Sequence, residues 1–142
     1  MPSEPSRDAV IAALAAALAI SAGSASGARL DDLRDHKRVV VVFAARADDS
    51  RLAEQRRALD PLVHAADDRD LKLVEVVAGR VEGVDDSAPV LARRLNRPPA
   101  AFRVCLIGKD GGLKLSRTRP ISAADLAATI DAMPMRREEM RR

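Results

Sequence analysis

The chain has 142 residues, 47% of them hydrophobic and 32% charged, with a formal net charge of +3. That length suits one domain with a real core, built from Val, Leu, Ile and Ala because aromatics are only 1%. Modest charge and two Phe exclude the basic stripe and the stacking platforms of a nucleic-acid binder, and the single Cys105 excludes an intramolecular disulfide.

The chain opens with an apolar run, Ala9 to Ile20, followed by small residues from Ser21 to Ala28. The run is too short to span a bilayer, which takes about 20 residues. It has the length of the apolar part of a secretory signal, and Ser26-Gly27-Ala28 fits a small-x-small cleavage site. Residues 1–28 are therefore expected to be a leader and residues 29–142 the exported domain, periplasmic or secreted. The alternative is an Ala-rich first helix, because Arg7 is the only cation of the leading end and Glu4 and Asp8 oppose it.

Arg38 to Phe43 (RVVVVF) is the continuous β-branched run of a strand buried on both faces. Asp48, Asp49 and Ser50 are candidate helix caps. Leu52, Leu59, Leu62, Val63 and Ala66 then recur at helical spacing. Pro61 either kinks one helix or opens a second short one after Asp60. Leu71 to Val77 is the second strand, and Gly79 to Asp86 reads as a loop. Ser87 caps a short helix with Leu91 and Leu95 inward, ending at Asn96, Pro98 and Pro99.

Phe102 to Ile107 is the third strand. Gly108-Lys109-Asp110-Gly111-Gly112 is a hairpin signal, and Leu113 to Ser116 an edge strand. Ser122 caps a last helix with Leu126, Ile130 and Met133 inward, and Pro134 ends it before a tail rich in Arg and Glu. The expected fold is α/β: a thioredoxin-like three-layer sandwich of order βαβαββα around a four-stranded mixed sheet.

Three stretches carry a resemblance to a known family: RVVVVFAARADDSRLAEQ (38–55), VCLIGKDGGLKL (104–115) and ATIDAMPMRREEM (128–140). The chain resembles the bacterial domain of unknown function DUF4174 over about Leu30 to Met140. Related domains occur in animal secreted matrix proteins, where a peroxiredoxin-like thioredoxin fold has been proposed. The resemblance implies an extracytoplasmic setting and that fold; it implies no particular reaction.

Dithiol chemistry requires C-x-x-C at a helix N-terminus. The turn after the first strand, Ala44 to Ser50, reads AARADDS and holds no sulfur. Cys105 falls in the third strand, where a buried, inert thiol is expected; an atypical peroxiredoxin-like enzyme using Cys105 is the alternative. Ser50 reads as a capping residue, and no spacing joins His36 or His64 to a nucleophile. Neither the histidines nor the Asp pairs match a metal site. Gly108 to Gly112 leads into a strand, unlike a phosphate loop. No catalytic residue, metal or cofactor is expected.

Candidate binding residues are Arg46 and Asp49 in the first turn, Lys109, Asp110, Lys114 and Arg117 on the hairpin, and Arg136 and Arg137 after the last helix. The hairpin and tail cations are expected to project, meet at one end of the sheet and attract a protein or an anionic envelope component. The alternative is a solubilising surface paired with Glu138 and Glu139.

Overall fold

The computed structural model describes residues 27–63, 68–96 and 102–142. Most of the expected leader, together with His64, Ala66, Pro98 and Pro99, lies outside the described residues. Strand β1 (Arg38–Ala44) is buried at all seven positions. It pairs in parallel with β2 (Leu71–Val77) and antiparallel with β4 (Arg103–Ile107). The sheet order is β3-β2-β1-β4-β5, with β3 at Arg80–Glu82 and β5 at Leu113–Arg117. A run of β-branched residues thus occupies the centre, where helices cover both faces and no polar alternation is needed.

Alternate residues of β1 feed two cores. Val40, Val42 and Ala44 pack with Leu52, Leu59 and Leu62 of α1 (Ser50–Val63) and with Leu126 and Ile130 of α3 (Ala123–Asp131). Val39, Val41 and Phe43 face the other way, toward Leu91 of α2 (Ala88–Arg94) and Leu95. Cys105 belongs to this second core. The period-2 geometry of a strand makes this division. Helix α1 runs through Pro61 without a second start. Asp49 caps it, its carboxylate accepting from Arg51 N at 2.9 Å. Ser87 and Ser122 cap α2 and α3 by accepting from Val90 N and Asp125 N.

Three expectations are corrected. The sheet has five strands, because β3 (Arg80–Glu82) lies within the stretch read as a loop. Ala78 and Gly79 join it to β2 with both φ angles positive, at 50° and 78°. That is the backbone of a two-residue hairpin turn, but Ala is a poor residue for its first position, so the usual Asn-Gly or Asp-Gly signal is missing. Pro134 does not end the helical region; it opens α4 (Pro134–Met140), where a missing N–H costs nothing. The element order is therefore βαββαββαα rather than βαβαββα.

Gly83 is required by space as well as by conformation. At φ 108°, a Cβ here would stand 2.8 Å from the Leu73 carbonyl oxygen. The chain turns tightly against β2 on its way from β3 to α2.

Candidate functional site

The candidate residues divide between the two ends of the sheet. At the C-terminal end of β1, Arg46 donates twice to Asp48, at 2.9 and 3.0 Å. Arg51 does the same to Asp49, at 2.8 and 3.0 Å. The guanidinium of Arg51 holds the Asp49 carboxyl below its usual range. Arg46 and Asp49 therefore each pair with a neighbour two residues away. Arg117 also sits at this end, because it pairs with Val104 on β4, and its Nη1 donates to the Ser116 carbonyl.

At the N-terminal end of β1 the cations Arg38, Lys109 and Arg136 are buried, and most of their partners lie far along the chain. Arg38, the first residue of β1, is 0% exposed. Its Nη1 donates to the Arg69 carbonyl at 2.7 Å and to Glu139 Oε2 at 3.3 Å, and its Nη2 to Glu139 Oε1 at 3.2 Å. Lys109 donates to the same Glu139 Oε1 at 2.6 Å and to Asp70 Oδ2 at 2.9 Å. Arg136 of α4 donates to Asp68 Oδ1 at 2.8 Å and to Asp131 Oδ1 at 3.1 Å. Its Nη1 lies 3.5 Å from Glu139 Oε2. Arg69 completes the cluster through two bonds to Asp131.

Electrostatics follow from this packing. Burial opposes the charge on Glu139, but hydrogen bonds from Lys109 and Arg38 outweigh it and lower its carboxyl. Burial likewise opposes the Lys109 ammonium, and the bonds to Asp70 and Glu139 more than compensate, raising it. Arg136 is raised in the same way, against burial, by Asp68 and Asp131. Asp131 is lowered by Arg69 and, less, by Arg136. These groups all stay ionised at neutral pH.

The expected projecting patch is thus corrected. Lys109 is 9% exposed and turned inward, because the hairpin folds back over the start of β1: Asp35 N donates to the Lys109 carbonyl at 2.7 Å. Lys109 and Arg136 are brought together, but on Glu139. Lys114 instead binds Asp110 at 2.7 Å across the hairpin, which lowers the Asp110 carboxyl together with the Gly112 N–H. Arg137 is exposed on α4, and Arg117 lies at the far end of the sheet. Arg38, Asp70 and Asp131 were not candidates in the sequence. A charge opening a wholly apolar strand was the one available sign of Arg38.

Cys105 is 0% exposed, with Sγ 3.8 Å from Ser116 Oγ. It stands opposite Val41 in the middle of β1, away from the Ala44–Ser50 turn. No group of three or more His, Cys, Asp or Glu suited to a metal ion is present among the described residues. No described helix is long and apolar enough to cross a membrane.

Fold and site together define an α/β domain with a mixed sheet, one end of which is closed by an ion-pair cluster centred on Glu139. The chain belongs to the family described as a domain of unknown function, DUF4174, which matches residues 29–139. A comparison with curated proteins found no match.

Proposed function

We propose that this chain is an exported thioredoxin-like module that binds a partner and carries out no thiol chemistry. The β2-β1-β4-β5 order, with a parallel first pair and an antiparallel second, supports the thioredoxin-like reading. The fifth strand is then an addition at the β2 edge. Two helices on one face and one on the other agree with it.

The observation that carries the functional reading is the turn leaving β1. In redox members of that architecture a reactive thiolate sits there, beside a helix N-terminus that stabilises it. Here the turn holds Arg46–Asp48 and Asp49–Arg51 ion pairs, and the chain's sulfur nucleophile lies in the core of β4. A thiol with no exposed surface does not meet peroxide or a substrate disulfide without local opening. A protein partner is favoured over an anionic envelope polymer, because Lys109 and Arg136 already face carboxylates. The apolar leader and small-residue site at Ala28 support export to the periplasm or beyond.

The test is native-state thiol labelling paired with a peroxide-consumption assay. Cys105 is expected to resist labelling until denaturant is added, and the protein to leave peroxide untouched. Peroxide turnover lost on Cys105→Ala contradicts the reading. Export is tested by fractionating cells that express the full chain: a product beginning at Arg29 outside the cytoplasm is expected, and an unprocessed cytoplasmic chain removes that part.

A further inference from the structure

We propose that Arg38, Lys109 and Arg136 form a carboxylate-binding site that Glu139 fills from within the chain, and that a carboxylate from outside exchanges with it. Three cations converge on one side chain: two of its hydrogen bonds come from the buried guanidinium of Arg38 and one from Lys109, and Arg136 adds an ion pair at 3.5 Å. This is the donor arrangement of a carboxylate receptor: a planar fork plus a point charge. Arg38 is not saturated by Glu139. Its buried Nε has no hydrogen-bond partner among the described residues. A cavity of about 30 Å³ is lined by Arg38, Lys109, Lys114 and Asp110 together with Met133 and Met135.

The element that delivers Glu139 is weakly anchored. Helix α4 is seven residues long, and its single buried residue is Arg136. Met135 and Met140 are exposed. The helix is therefore held by ion pairs rather than by apolar packing, and such an element opens more easily than the core strands. An open groove of about 530 Å³ leads to the cluster.

The rim of that groove selects the ligand. Asp35, Asp68, Asp70 and Glu138 line it, so a polyanion or a doubly charged phosphate meets repulsion at the entrance. A single carboxylate meets less of it, least with basic flanks, and Arg142 on the same rim offsets part. The ligand class is therefore a monocarboxylate, free or as an acidic side chain of a partner peptide. This proposal rests on the binding reading above and names its site. It is separable, because peroxide turnover by Cys105 would sink that reading without touching these residues.

The test is small-anion rescue in the full chain. Glu139→Ala deletes the atoms of an acetate ion. Acetate is expected to raise the melting temperature of this variant saturably above matched chloride, and to do so much less in wild type. Adding Lys109→Ala should abolish the effect. A blocked Lys-Glu-Lys peptide distinguishes the sources: rescue by peptide at lower concentration than acetate assigns a protein ligand, and rescue by acetate alone assigns a free acid. Equal melting points in acetate and chloride overturn the proposal. Should Glu139→Ala fail to fold in chloride, wild type is read by amide exchange. Acetate is then expected to speed exchange in residues 136–140 several-fold over chloride while β1 and β4 stay unchanged, and no acetate-specific change overturns the proposal.

Discussion

The two ends of the sheet use similar charged residues in opposite ways. Beyond the C-terminal end of β1, Arg46 and Asp48 are two residues apart and largely exposed, with 78% and 71% of their side chains accessible. Beyond the N-terminal end, Arg38 and Glu139 are 101 residues apart and Arg38 is sealed from water. Exposed pairs gain little, because water screens the charges and two flexible side chains must be ordered. The fold holds Arg38 and Lys109 away from water, so removing their carboxylate strands them unless another carboxylate takes its place. One end decorates a loop; the other joins β1, β2, the hairpin and α4.

The largest expected effect follows from emptying the buried end. Arg38→Ala leaves Glu139 short of its fork and removes the bond to the Arg69 carbonyl, and should cost about 3–5 kcal/mol in denaturant unfolding. A loss below about 1 kcal/mol would mean that water replaces the guanidinium freely.

A neutral clamp gives the next effect and sharpens the contrast. Gln55 of α1 is buried and holds both backbone groups of Ile121, donating to its carbonyl at 2.9 Å and accepting from its N–H at 2.7 Å. Gln55→Ala should cost about 2–4 kcal/mol, from two stranded backbone groups and the lost packing. The same unfolding titration reads it. Here the long-range bond, not the charge, supplies the stability.

Acid should loosen the Glu139 end of the sheet. The Glu139 and Asp131 carboxyls lie below their ordinary values in the folded protein. The unfolded chain therefore takes up protons first as pH falls through about 4. The stability from these groups is complete above that range and is lost on descending through their folded pKa values. Melting temperature should fall between about pH 5 and 3, with a shallower slope in Glu139→Gln. Parallel slopes in the two proteins would remove Glu139 from this behaviour.

Local rules made much of the fold legible. RVVVVF announced a central strand, the Leu spacing announced α1, and Gly108 to Gly112 announced the hairpin. Strand β3 was hidden because Ala78 occupies a turn position that usually carries Asn, Asp or Gly. Helix α4 was hidden because a Pro after a helix reads as a stop, whereas here α3 has already ended at Asp131 and Pro134 takes the first turn of a new helix. The ends of the sheet differ again in this respect. Asp49 as a cap of α1 follows from its own neighbours. Arg136 and Glu139 share one helix at i,i+3, but bringing Arg38 and Lys109 onto Glu139 requires three distant segments to be placed together first, and no spacing in the chain encodes that. Lys109 was expected to point outward because hairpin tips usually do; Asp70 and Glu139 draw it in.

Double-mutant cycles compare the two ends most directly, using the pairs Lys109–Glu139 and Arg46–Asp48 in one unfolding assay. A coupling of about 1.5–3 kcal/mol is expected for the first pair, and one indistinguishable from zero for the second. Equal couplings, or a larger one at Arg46–Asp48, would contradict the assignment of the charged core to the Arg38 end of the sheet.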